Sequence, residues 1–159
     1  MSKRKILWAP WRKNYITSGE TSKECVFCMK ASSDKDRENL VIHRGKEVFA
    51  LLNLYPYNNG HVLIVPYKHT SDPMQISPEE YAELLSIMKK LIEIIKDKMN
   101  PEGFNMGMNI GKAGGAGTED HIHMHLLPRW KGDTIFMSVT GGTRVMSESL
   151  ESVYEKLKF

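Results

Sequence analysis

The sequence predicts an α+β domain, with a mostly antiparallel sheet of about five strands and one long helix packed against it. Three observations predict this. A long amphipathic stripe with its own start and stop signals lies mid-chain. Short apolar or alternating segments bounded by Gly, Pro or Asn flank it on both sides. Finally, "EDHIHMHLLPRW" (Glu119 to Trp130) alternates polar and apolar residues with the period of a strand.

In chain order, the first strand signals are Leu40 to Arg44 and "EVFALLN" (Glu47 to Asn53), joined by a turn around Gly45. "GHVLIVP" (Gly60 to Pro66) is a third short apolar run. The helix runs from Ser77 to about Met99. Ser77 suits the N-cap, Pro78 the first helical position, and Glu80 completes a capping box. Tyr81, Leu84, Leu85, Met88, Leu91, Ile92, Ile95 and Met99 then recur at three- and four-residue steps, as the core face of such a helix does. "NPEG" ends it, because Pro101 cannot continue the helix and Gly103 frees the backbone. "FNMGMNI" (Phe104 to Ile110) and the histidine segment supply the last strands, joined by the glycine-rich "GKAGGAGTED". That loop lacks the Lys-Ser/Thr ending of a P-loop and opens no helix, but a flexible loop of this kind suits a phosphate.

The 159 residues fit a single domain, 1–159. With 41% hydrophobic and 26% charged residues, the chain has the composition of a globular protein rather than a disordered one. A net charge of +3 is mild, and the basic residues Lys3, Arg4, Lys5, Arg12 and Lys13 form only a short cluster, which argues against a nucleic-acid groove. No apolar run reaches the length of a membrane span, and the basic start "MSKRKILWAPWRKN" leads into no signal-peptide core, so a cytoplasmic location is expected. In that reducing setting the pair Cys25 and Cys28 of "CVFC" reads as metal ligands or a redox motif rather than a disulfide. A thioredoxin-like motif wants a strand before it, and "SKECVFCMKASS" shows none.

His121, His123 and His125 occupy every second position, so a strand would present all three imidazoles on one face and Ile122, Met124 and Leu126 on the other. Imidazoles grouped beside a glycine-rich loop can do two things. They can bind a metal, which needs neutral nitrogens converging on a point, or attack phosphorus, which needs one ring in a defined tautomer with donors nearby for the oxygens.

"HIHMHLLPRW" resembles the motif of the histidine-triad superfamily, and its continuation "PRWKGDTIFM" with "GGTRV" resembles the dinucleoside-polyphosphate branch. "LWAPWRKNYI", "CVFC", "FALLNLYPYNNGHVLIVPYKH" and "GMNIGKAGGAGTEDHIHMH" follow in the order such proteins show, so the resemblance covers nearly the whole chain. The resemblance implies an enzyme that forms a covalent nucleotidyl-histidine on His123, with His125 contacting the phosphate oxygens and His61 approaching from the neighbouring strand. Asn53 takes the ribose position, and Asn109 and Thr118 the phosphates, although the loop before Thr118 is about one residue longer than in the simplest members. In zinc-bearing relatives His69 and His121 complete a Cys2His2 site with Cys25 and Cys28, which implies a structural zinc with the knuckle at about residues 20–30.

The family also implies a homodimer, because one protomer is too shallow to enclose a substrate. Trp8, Trp11 and Trp130 are candidates for an interface, a base platform or plain core. His43 matches nothing in the motif and reads as a surface or strand residue. Water or phosphate as the acceptor, hence hydrolase or phosphorylase, is open, because one intermediate serves both. A nucleoside phosphoramidase-type hydrolase and a non-catalytic zinc-stabilised nucleotide-binding module are the alternatives. The intact histidine row argues against the module.

Overall fold

A computed structural model describes residues 24–133 and 146–159. The elements are α1 (Val26–Ser32), α2 (Asp36–Asn39), β1 (Val41–Arg44), β2 (Val48–Leu52), β3 (Val62–Pro66), α3 (Pro78–Met99), β4 (Gly103–Met108), β5 (Met124–Arg129) and α4 (Leu150–Leu157). The strands form one five-stranded sheet in the order β1-β2-β3-β5-β4, every neighbouring pair antiparallel. The expected α+β architecture is therefore the one observed. Trp8 and Trp11 lie outside the described residues, as does "GGTRV".

The sheet separates two apolar layers, because alternate residues of each strand face opposite ways. Val48, Ala50 and Leu52 of β2 and Val62 and Ile64 of β3 pack with Leu84, Ile87, Met88, Leu91 and Ile95 of α3 and with Val153, Tyr154 and Leu157 of α4. The intervening residues Phe49, Leu51, Leu63 and Val65 face the other way and enclose Phe27 of α1. This second layer carries the functional site.

Helix α3 begins as its sequence signals require. The Ser77 hydroxyl accepts the Glu80 N–H, the Glu80 carboxylate accepts the Ser77 N–H, and Pro78 fills the first turn. Two details differ. Leu85 is 47% exposed and Ile87 takes its place in the core, because the buried stripe is narrower than the run of apolar residues. The helix ends through Asn100, which adopts the left-handed conformation at φ 47°, so Gly103 is left to begin β4. Asparagine tolerates that region better than most side chains.

The turn between β1 and β2 is braced by Glu83 of α3, whose carboxylate accepts the N–H groups of Lys46, Glu47 and Val48. Burial acts to raise its pKa, but these three donors together hold it below the ordinary carboxylate range. At the far end, the Trp130 indole donates to the Asn100 carbonyl at 3.1 Å, tying the end of β5 to the end of α3. His43 stacks on Phe159 and its Nδ1 lies 3.1 Å from that residue's carbonyl, away from the site.

Candidate active site and metal centre

The three histidines do not share one continuous strand, as their alternation predicts. Only His125 lies within β5; His121, at a bend, and His123 precede it. The reason lies in β3. Its even-numbered residues turn toward β5, pairing Val62 with Leu126 and Ile64 with Met124, so the next rung would join position 66 to Ile122. Position 66 is proline and has no N–H to give. The ladder stops there. The Ile122 N–H instead reaches the Thr70 carbonyl at 2.7 Å, and the His121 Nε2 lies 2.9 Å from the Pro66 carbonyl left over.

That break sends the histidines to two tasks, and each ring's tautomer follows from its partners. The Pro66 carbonyl accepts only a hydrogen, so His121 carries its proton on Nε2 and presents the Nδ1 lone pair. Nδ1 lies 3.3 Å from Cys25 Sγ, 3.6 Å from Cys28 Sγ and 3.3 Å from His69 Nδ1, while His69 Nδ1 and Cys28 Sγ are 3.3 Å apart. The four donor atoms all lie within 4.8 Å of one another. A tetrahedral zinc with ordinary bond lengths separates its nitrogen donors by about 3.3 Å and sulfur from nitrogen by about 3.5 Å, which the four contacts of 3.3 to 3.6 Å match. Cys25, Cys28, His69 and His121 thus form a fitting donor set for a metal ion. Cys25 is also the N-cap of α1, so the pair does sit at a helix start. Burial and the adjacent Cys25 thiol push the Cys28 thiol up, the opposite of what a reactive redox thiol needs.

His123 is held differently. Its Nδ1 lies 2.9 Å from the His121 carbonyl, which fixes the proton on Nδ1 and leaves the lone pair on Nε2. Its neighbour is set by a longer chain of hydrogen bonds. The backbone N–H of Tyr57 can only donate, and it points at His61 Nδ1 from 3.0 Å. His61 therefore carries its proton on Nε2, which donates to His125 Nδ1 at 2.8 Å. His125 in turn must carry its proton on Nε2. That nitrogen is buried and has no hydrogen-bond partner among the described residues. Burying a donor without a partner is costly, so the orphaned N–H points to a ligand acceptor at this place.

Burial pushes His121 and His123 below the ordinary imidazole range, and burial together with His123 pushes His125 down to about 4. At neutral pH the site therefore offers neutral rings, one lone pair and one N–H, rather than imidazolium charge. The rings of His123 and His125 lie 4.9 Å apart between centroids.

The turn before β3 braces His61. Asn58 donates to the Pro128 carbonyl and the Asp133 carboxylate, and Asn59 donates to the Ser147 hydroxyl. Gly60 has φ +70°, and a Cβ there would come within 3.0 Å of Pro128 and 3.1 Å of Met99, so both conformation and space call for glycine. The Tyr57 ring stacks on that of His125 and lies tilted against that of His61. Two members of this assembly, Tyr57 and Phe27, go unmarked in the sequence: tyrosine in a turn and phenylalanine between cysteines carry no signal of a site.

The remaining candidates take more peripheral places. Asn53, at the end of β2, accepts the Tyr55 N–H and turns its Nδ2 toward His61 Nδ1 at 3.3 Å, so it joins the brace. Asn109 donates to the Gly115 carbonyl across the glycine loop, and Thr118 lies half-buried beyond that loop.

An antiparallel sheet with a lone-pair imidazole and an N–H imidazole side by side, backed by a cysteine and histidine metal set, defines a histidine-centred site that can offer a ligand both a lone pair and a hydrogen-bond donor. Residues 34–132 match the HIT domain, and the chain belongs to that family. It is 38% identical to an AP-4-A phosphorylase of Mycobacterium tuberculosis over 91% of this chain and 77% of that protein. It is 31% identical to the asymmetrical bis(5'-nucleosyl)-tetraphosphatase of Schizosaccharomyces pombe over 58% of this chain and 50% of that one. A crystal structure of a Zn-bound histidine triad family protein from Mycobacterium smegmatis superposes with a TM-score of 0.69 at 28% identity, covering 86% of this chain and 91% of that one.

Proposed function

We propose that this HIT-family enzyme transfers a nucleotidyl group from a dinucleoside polyphosphate of the diadenosine tetraphosphate type, through a nucleotidyl-histidine on His123. The observation that carries the reading is the pairing of tautomers: a lone pair fixed on His123 Nε2 beside a buried, partnerless N–H on His125. His123 Nε2 attacks the α-phosphorus, the new N–P bond forms, and the bond from phosphorus to the bridging oxygen breaks, its electron pair leaving with the nucleoside polyphosphate. The N–H of His125 donates to the phosphate oxygens as charge builds on them, and His61 holds that donor in place. Phosphate or water then attacks the same phosphorus and returns the electron pair to Nε2. Phosphate yields a nucleoside diphosphate; water yields a monophosphate.

The names of the M. tuberculosis and S. pombe relatives support the substrate class. Asn53, which follows β2, is assigned to the ribose, and Asn109, which follows β4, and Thr118, in the loop that leads to β5, are assigned to the phosphates. The metal is assigned as zinc with a structural role, since Cys25, Cys28, His69 and His121 have the donor chemistry and spacing for it. A homodimer is assigned through the open side of β4, an edge strand whose Met106 is 53% exposed and beyond which Ile110 is 54% exposed. Two cysteines that form no disulfide suit a reducing, cytoplasmic compartment, and no helix among the described residues is long and apolar enough to cross a membrane.

The test is incubation with diadenosine tetraphosphate, with and without inorganic phosphate. A phosphorylase should give ATP and ADP with phosphate and no more than one ATP per active site without it, whereas a hydrolase should give ATP and AMP in both cases. No cleavage under either condition would refute the reading.

A further inference from the structure

We infer that Phe27, the residue carried between the two cysteines, is a positioning residue for His123, so that the metal-binding knuckle also sets the nucleophile's ring. The inference rests on the assignment of His123 above. Phe27 is 5% exposed and is enclosed by Val41, Phe49, Leu51, Leu63 and Val65, so its own ring has little room to move. It touches both tasks of the histidine segment. Its ring lies edge-on to His121 at 5.4 Å between centroids and tilted against His123 at 5.0 Å.

His123 has one hydrogen bond from Nδ1, to the His121 carbonyl, and a single bond of that kind leaves the ring free to swing about it. Two neighbouring rings restrict the swing: Phe27, tilted at 50° with its centroid 5.0 Å away, and His125, tilted at 60° and 4.9 Å away. The His121 backbone supplies the acceptor and the His121 ring supplies a metal ligand, while Cys25 and Cys28 fix α1 and with it Phe27. The donor set for the metal and the orientation of His123 are therefore linked twice, through the main chain of His121 and through Phe27. Attack on phosphorus needs the Nε2 lone pair in line with the breaking bond, and a displacement of about 1 Å in such a group can lower the rate by about a hundredfold.

The test compares the wild type with Phe27→Leu and Phe27→Ala as zinc-loaded proteins. Three quantities are measured: zinc per chain, kcat and KM for diadenosine tetraphosphate, and the ring-nitrogen NMR shifts of His123 at pH 8. Phe27→Leu keeps most of the apolar volume but lacks the flat face. It should retain its zinc, lose kcat by about tenfold and keep KM within about twofold. In the wild type the His123 shifts should report a single Nδ1–H tautomer, and in Phe27→Leu an exchanging mixture. Phe27→Ala should show the same pattern more strongly. The proposal is overturned if Phe27→Leu has wild-type kcat, if activity falls only in proportion to lost zinc, or if KM rises with kcat unchanged, which would make Phe27 a wall of the substrate site. If the wild type cleaves no dinucleotide yet its fixed His123 tautomer is lost in Phe27→Leu, the catalytic reading fails and the positioning role stands.

Discussion

Replacing His61 by Phe breaks the relay that sets His125 while nearly conserving ring volume. Three hydrogen bonds disappear: the one at 2.8 Å to His125 Nδ1, the one at 3.0 Å from the Tyr57 N–H, and the 3.3 Å one from the Asn53 amide, a half-buried group that water can reach. His61 and His125 are both buried, so His125 Nδ1 is left without a partner, whereas the Tyr57 N–H sits in a half-buried turn that water can reach. At about 1–3 kcal/mol for each buried group left unsatisfied, with the second near the low end, the variant should lose about 2–4 kcal/mol of stability. The catalytic cost is smaller than removing the donor. His125 keeps its N–H but is no longer held in one tautomer or orientation, and the lost bond is worth about 1 kcal/mol net, so kcat should fall by about fivefold. Deleting the donor outright in His125→Ala should cost nearer the 10²–10³-fold (roughly) typical of an oxyanion donor. Urea unfolding and steady-state kinetics on the same preparations read both quantities. A His61→Phe protein with wild-type stability and kcat, or one as impaired as His125→Ala, would refute the relay.

Acid should destabilise the fold through His125. Its imidazole titrates near 6.5 when unfolded and at about 4 when folded, so the unfolded chain takes up the proton first. This stability is fully present above about pH 6.5 and is lost as pH falls toward about 4; it amounts to about 2 kcal/mol once residual solvent screening is allowed for. Urea melts from pH 7.5 to 4.5 should therefore be less pH-dependent in His125→Gln than in the wild type, and equal slopes would count against the buried neutral ring. Removal of metal should lower the melting temperature, and Cys28→Ser should purify with less than one zinc per chain, as elemental analysis will show. An unchanged melt after chelation would contradict a structural zinc. Sedimentation at micromolar concentration should give a dimer, and Met106→Lys on the β4 edge should shift it toward monomer; a wild-type monomer would contradict the edge assignment.

Much of the fold could be read from the chain because its signals are local. The capping box of Ser77 and Glu80 and the stripe from Leu84 to Ile95 are set by residues a few positions apart. The five strands follow from short apolar runs between turn formers. The site was legible in composition but not in arrangement. Alternation placed His121, His123 and His125 on one strand face, yet Pro66, more than fifty residues away in sequence, ends the ladder and sends the His121 ring to the cysteines. A proline on one strand acts on its partner only once the register is known. The same holds for Phe27 and Tyr57, whose roles depend on which rings they meet. The short helices α1, α2 and α4 also went unread, since seven, four and eight residues give too few turns for a periodic stripe.

The proposed covalent step on His123 is tested most directly by trapping the intermediate. Protein mixed with diadenosine tetraphosphate in the absence of phosphate, quenched within the first turnover and analysed by intact and peptide mass spectrometry, should carry the mass of one adenylyl group on the peptide containing His123. His123→Ala should bind the nucleotide, retain its zinc and carry no adduct. An adduct on another residue, or full turnover by His123→Ala, would contradict the account.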